Sequence, residues 1–247
     1  MDLEWTSPVA IGGVGGSGTR LVASMLVEMG YAMGTRLNDS IDDLDFTSTF
    51  VDVAMLDTCG QAFDEKIDQF LHLAQDRFRQ CDPAREMLVE PRWGWKEPNT
   101  HVILERLVSR IPGLRYIHVV RNGLDMAHSS NRHQLHRWGE RILGRTVSDA
   151  PHDALAYWVA AHRRLGGISA MMGNRFLMLN YDRLCTDPDR ELPVLLQFAG
   201  VDPKPVLERL GSMIRPPESI GRHREQGLHI FDPADVDYVR SLGFDVD

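Results

Sequence analysis

GGVGGSGTR, residues 12–20, follows the short apolar run PVAI at 8–11 and leads straight into TRLVASMLVEMG at 19–30, whose apolar residues recur at helical spacing up to a glycine stop. Strand, glycine-rich turn and helix in this order make the opening βα unit of a parallel sheet. The first N–H groups of such a helix have no partner inside the helix, and its dipole adds positive charge at the same end, so a phosphate or sulfate group is the natural guest. Three readings compete. Gly13 to Gly18 spells a dinucleotide-type G-x-G-x-x-G, the same frame contains a nucleotide-triphosphate-type G-x-x-x-x-G, and a tight turn can serve with no ligand at all.

The flanking residues separate them. A dinucleotide site needs a second strand ending in an acid about 20 residues on, and TRLNDSIDDLDF at 35–46 offers acids with no apolar strand before them. A nucleotide-triphosphate loop needs Lys and then Ser or Thr after the last glycine; Thr19 and Arg20 stand there instead, so the hydroxyl that would hold magnesium is missing. In those proteins a neighbouring apolar strand commonly ends in a metal-binding Asp. Here RYIHVV, 115–120, ends in Arg121. A cation at that place points to a direct grip on an anion.

Composition sets the outer limits. With 247 residues, 43% hydrophobic and 25% charged, the chain is expected to form a single α/β domain over 1–247. A net charge of −8 argues against broad attraction to nucleic acid or to an anionic membrane. Cys59, Cys81 and Cys185 are dispersed and odd in number, which suits neither a disulfide framework nor a zinc site and implies a reducing compartment. No secretory leader or membrane-length apolar run is present, so a cytoplasmic location is expected.

Along the chain, residues 36–90 read as a helical insertion, WGWKEP at 93–98 as a strand end, HVILERLVSRI at 101–111 as a helix, and RYIHVV as a buried strand. NRHQLHRWGERILGRTVSD at 131–149 shows no clean period and is expected to be loop or short helices. DALAYWVAAHRRLGGISAMMG reads as one long helix, RFLMLNY as a further strand, and the tail beyond two more helices as irregular. The alternation predicts a three-layer, doubly wound parallel sheet with a P-loop-type first βα unit.

Several stretches together resemble the sulfotransferases that use 3′-phosphoadenosine 5′-phosphosulfate. GGSGTRL is similar to their 5′-phosphosulfate loop, and VVRNGLDMAHS to their 3′-phosphate motif, in which an Arg at a strand end and a Ser eight residues later share the phosphate; Arg121 and Ser129 match in type and spacing. WGWKEP resembles the family's Lys-bearing strand end, and FLMLNYDRLCTDPDRELPVLLQFAGVD its tyrosine-led late segment. The resemblance implies an enzyme that moves a sulfuryl group to a hydroxyl or amine of a small-molecule or glycan acceptor, without a metal.

It also implies roles. Gly15, Gly16, Ser17, Gly18 and Thr19 would cradle the 5′-phosphosulfate. Arg121 and Ser129 would hold the 3′-phosphate, and Arg222 in the basic loop at 215–230 would close over it. The family usually carries a cation before Ser-Gly-Thr, where this chain has Gly16; Arg20 either substitutes for it or makes a helix-surface ion pair. Lys96 resembles the family's Lys that reaches the leaving oxygen, with an ion pair to Glu97 or Glu90 as the bland alternative. Glu97 and His101 are the candidate general bases, although Lys96 and Glu97 are adjacent on a strand and should face opposite ways. His118 reads as a core histidine, and His128, His133 and His136 as loop polarity or acceptor-site lining. Trp93, Trp95 and Trp158 read mainly as core, with ring stacking on a ligand as the alternative. Two other functions stay open: a magnesium-dependent P-loop kinase or NTPase, and a nucleotide-binding protein that has lost turnover.

Overall fold

The computed structural model describes residues 7–81 and 92–247, with the backbone alone at 79–81. Among them five parallel strands, β1 (Val9–Gly12), β2 (Ala32–Met33), β3 (Trp93–Lys96), β4 (Arg115–Val120) and β5 (Phe176–Asn180), form one sheet in the order β2-β3-β1-β4-β5. The strand order reverses around β1. Ligands of open parallel sheets bind beyond the carboxyl ends of the strands at such a reversal, and there the chain has the glycine loop. The doubly wound parallel architecture is therefore the one the sequence predicts.

The helices are α1 (Thr19–Glu28), α2 (Leu44–Phe50), α3 (Gln61–Cys81), α4 (Leu104–Arg110), α5 (Gly123–Ala127), α6 (His133–Leu143), α7 (Pro151–Arg163), α8 (Leu165–Met172), α9 (Tyr181–Thr186), α10 (Pro188–Ala199), α11 (Leu207–Met213) and α12 (Pro233–Ser241). They bury the sheet from both sides. On one face Ile11, Val119 and Leu179 pack with Val22, Leu26, Leu195 and Leu210 of α1, α10 and α11. On the other, Ala10, Trp95 and Tyr116 pack with Phe46 and Phe70 of α2 and α3 and with Trp158 of α7. Alternation along the strands thus assigns each strand-end side chain to a face.

Four expectations are corrected. His133–Leu143 is a regular helix, since Leu135 and Trp138 are buried on one side with Ile142 beside them while His136, Arg137 and Arg141 face water; polar residues at the remaining positions hid the stripe. The predicted long helix divides at Arg164, where the Gly166–Gly167 pair weakens helical continuity. The tail is not irregular, because Asp232 caps α12 by accepting from Ala234 N–H and Pro233 opens its first turn. The acidic 35–46 stretch does follow a strand, since β2 precedes it, but at two residues β2 is too short to leave a period. The predicted insertion supplies α2 and α3, whose Phe46 and Phe70 pack on Trp95 with Phe50 against both of them; its end, 82–90, lies outside the described residues.

Candidate functional site

The glycine loop is held open from below. Gly13 N–H donates to Pro98 O at 3.0 Å, and Gln134 Nε2 donates to Gly13 O at 3.1 Å, so the loop is tied to the turn after β3 and to α6. Gly16 and Gly18 have φ of +95° and +93°, a left-handed backbone that side chains rarely adopt. Gly18 is also crowded, because a Cβ there would stand 2.1 Å from Cδ2 of Tyr181. Ser17 is 1% exposed, and its Oγ has no partner among the described residues. Ser17 N–H donates to Val14 O at 3.0 Å within the turn, and a buried hydroxyl without a partner in a glycine-rich turn at a helix N-terminus suits an anion with several oxygens. Thr19 is buried at the start of α1, while Gly15 and Gly16 lie open toward Asn131. Arg20 is exposed, and no ion pair to it is present among the described residues.

β1 lies between β3 and β4, so Lys96 and Arg121 flank the loop on its two sides. At about 4.8 Å between neighbouring strands the two strand ends are roughly 10 Å apart. They also share a face. Lys96 pairs with Ile11, and Arg121 follows Val119 by two residues, which puts both on the side covered by α1.

Arg121 is only 11% exposed at its side chain. Its Nη2 donates to Ser219 Oγ at 2.5 Å, its Nε lies 3.4 Å from Asp182 Oδ1, and its guanidinium stands 5.8 Å from the Tyr181 ring centre. The 3.4 Å separation makes an ion pair but not a well-aligned hydrogen bond, and Nε keeps donor capacity for another acceptor. Tyr181 thus stands between Arg121 and Gly18. Ser129 accepts from Asn131 N–H at 3.1 Å, and it is the Asn131 side chain that lies against Gly15 of the loop. Arg222 donates to His128 O at 3.3 Å and lies beside this corner.

Lys96 is buried, with its ammonium 2.5 Å from Asp42 Oδ1 and donating to Ser40 O at 2.9 Å. Its ion-pair partner is therefore Asp42 rather than Glu97; Glu90 lies outside the described residues. Asp42 was not singled out from sequence because it belongs to a run of acids, and only the fold brings the 38–43 turn over β3, where Asp43 N–H donates to Lys96 O.

Glu97 points the other way, as strand alternation requires. Its carboxylate accepts from Asn99 N at 2.7 Å and Asn99 Nδ2 at 2.8 Å, and Trp138 Nε1 in turn donates to Asn99 Oδ1. Burial raises its pKa to about 7, with the nearby Asp42 charge adding to the rise and the Asn99 bonds opposing it. His101 is fully enclosed with Nε2 3.2 Å from Gln134 Oε1, and burial lowers its pKa to about 3. It stacks edge-on with His118, which burial also holds well below its ordinary value and which meets Tyr116 Oη through Nδ1. Of the loop histidines, His136 pairs with Asp149, and His128 packs against Phe231. Trp93, Trp95 and Trp158 are all buried. A narrow cavity of about 20 Å³ opens beside the glycine loop, lined by Val14, Gly15, Leu135, Tyr157 and Trp158 among others.

Among the described residues no helix is long and apolar enough to cross a membrane, and no group of His, Cys, Asp and Glu is arranged to hold a metal ion. No curated protein matches the sequence. Solved structures similar in fold include the sulfotransferase domain of the Synechococcus PCC 7002 olefin synthase, at 16% identity over 98% of this chain and 96% of that one with a TM-score of 0.58. Another is the sulfotransferase STF9 of Mycobacterium avium, at 12% identity over 98% and 78% with a TM-score of 0.58. The sequence model of the sulfotransferase family matches residues 8–205, which span β1, the glycine loop, Lys96, Arg121 and Tyr181, and the chain belongs to that family.

Proposed function

We propose that this protein transfers a sulfuryl group from 3′-phosphoadenosine 5′-phosphosulfate to a hydroxyl or amine of a small-molecule acceptor. The reading is supported by a glycine loop with a buried Ser17 hydroxyl that has no partner among the described residues and, at the neighbouring strand end on the same face of the sheet, the Arg121 guanidinium, with Ser129 completing the second cradle in this reading. The donor supplies a sulfuryl group on a phosphate leaving group. In this reading the main-chain N–H groups of Gly15, Gly16, Gly18 and Thr19 and the Ser17 hydroxyl hold its 5′ end. Arg121 takes the 3′-phosphate with donor capacity at Nε, and Tyr181 separates the two cradles.

Lys96 is the cation on the loop's other side and stabilises charge on the departing oxygen, with Asp42 fixing its position. Glu97 serves as the base for the acceptor proton, since a carboxyl with a pKa of about 7 holds a proton well and is still half ionised near neutrality. His101 is left as a structural residue, because an imidazole with a pKa of about 3 takes up protons poorly at that pH.

Thermal-shift measurements with adenosine 3′,5′-bisphosphate, ATP with magnesium, and NAD test the reading. At about a hundredfold over its dissociation constant the bisphosphate should stabilise the protein by roughly 2.7 kcal/mol, and Arg121→Ala should abolish that shift. A response to ATP with magnesium alone overturns the proposal in favour of a kinase or NTPase.

A further inference from the structure

Asp125 is a buried carboxylate, 2% exposed, in the short helix that follows Arg121. It spends both oxygens on a segment almost a hundred residues away. Oδ2 accepts from Gly221 N–H at 2.7 Å, and Oδ1 accepts from His223 N–H at 3.1 Å and lies 2.7 Å from His223 Nδ1. Because Oδ1 is an acceptor, His223 carries its proton on Nδ1, and the ring is fixed in one tautomer. His223 is itself 2% exposed, so this pairing is sealed from water.

The segment so anchored carries two groups to the Arg121 corner. Ser219 Oγ accepts from Arg121 Nη2 at 2.5 Å, and Arg222 donates to His128 O, next to Ser129, at 3.3 Å. Arg222 also donates to Ser219 O at 3.4 Å, which links the two groups within the segment. Their placement therefore depends on how 219–223 is seated, and Asp125 with His223 makes three of the contacts that seat it.

We propose that Asp125 is a positioning residue which, through His223 and the Gly221 and His223 N–H groups, sets Ser219 and Arg222 over the 3′-phosphate end of the donor site. The inference rests on the donor reading above. Asp125 touches no part of the donor. It acts by preorganising charged donors around one phosphate, so its loss affects ligands that have that phosphate and spares those that lack it.

The experiment is calorimetric titration of the wild-type chain and of Asp125→Asn, His223→Ala and His223→Asn with adenosine 3′,5′-bisphosphate and adenosine 5′-monophosphate, with near-ultraviolet circular dichroism to confirm the fold. Hydrogen bonds to charged groups are worth enough that Asp125→Asn and His223→Ala should weaken bisphosphate binding about 10-fold or more. Monophosphate binding should change less than about 3-fold, because only the 3′-phosphate corner is disturbed. His223→Asn, which returns an N–H donor to Asp125, should recover most of the loss. Should Asp125→Asn fail to fold, the two His223 variants carry the test. Equal weakening of both ligands, or unchanged bisphosphate affinity, overturns the positioning role. A wild-type chain that does not prefer the bisphosphate to the monophosphate overturns the donor reading itself.

Discussion

Replacing Gly18 with alanine should damage the protein in two separable ways. At φ +93° the new side chain meets left-handed backbone strain of about 1–2 kcal/mol. Its Cβ also enters the Tyr181 ring, at 2.1 Å from Cδ2 and 2.2 Å from Cε2. Because the atoms met belong to a ring lying between α1 and the Arg121 corner, overpacking adds about 1–3 kcal/mol. The total is roughly 2–5 kcal/mol, which for a chain of this size lowers Tm by roughly 4–20 °C. Gly30 supplies the control: its φ is +88°, but an added Cβ meets nothing within 4 Å, so Gly30→Ala should cost only the strain. In a Tyr181→Ala background the two substitutions should cost the same, a coupling of about 1–3 kcal/mol in a double-mutant cycle read by calorimetry or urea unfolding. If Gly18→Ala destabilises the wild-type background no more than Gly30→Ala, to within about 0.5 kcal/mol, the ring is not seated on the loop and the arrangement joining the two cradles is refuted.

Other outcomes follow from the same geometry. Lys96→Met should retain bisphosphate binding but lower kcat about 10²–10³-fold in a sulfuryl-transfer assay, as expected when one stabilising donor is removed. Glu97 is neutral when protonated, so with a pKa of about 7 the wild-type rate should rise through neutrality as pH increases; Glu97→Gln should be slow and lack that limb in a pH–rate profile. Stability should fall as the solution is acidified from pH 6.5. His101 and His162, with folded pKa values of about 3 and about 4, and His118, also depressed, stay neutral in the fold but charge in the unfolded chain. Each contributes stability that is present above pH 6.5 and is lost at about 1.4 kcal/mol per pH unit below it. Glu97 and Asp43, raised to about 7 and about 6, oppose this by binding protons in the folded state. Of these five groups the histidines prevail by about one proton near pH 5, so urea midpoints measured between pH 6.5 and 4.5 should fall, and His162→Gln should flatten the slope.

Much of the architecture was readable in one dimension because it depends on local features. Residues 8–30 dictate a strand, a turn that only glycine can make, and a helix, and RYIHVV followed by Arg121 marks the second strand end. The eight-residue interval from Arg121 to Ser129 spans a single short helix and its exit turn. Alternation along β3 likewise puts Lys96 and Glu97 on opposite faces. The α6 helix leaves no clean period because its buried side includes Gln134, a polar residue whose burial is matched by hydrogen bonds to Gly13 O, His101 and Tyr157 on other elements.

What the fold alone decided is how distant residues neutralise, crowd or anchor one another. Asp42 on Lys96, Tyr181 against Gly18, and Asp125 on 221–223 join positions from 54 to more than a hundred residues apart. The pKa of Glu97 belongs to this class too, since it follows from burial rather than from its neighbours in sequence. Period and spacing report interactions within a helix or strand, whereas these contacts arise from packing several elements against one sheet edge, and no local pattern encodes that.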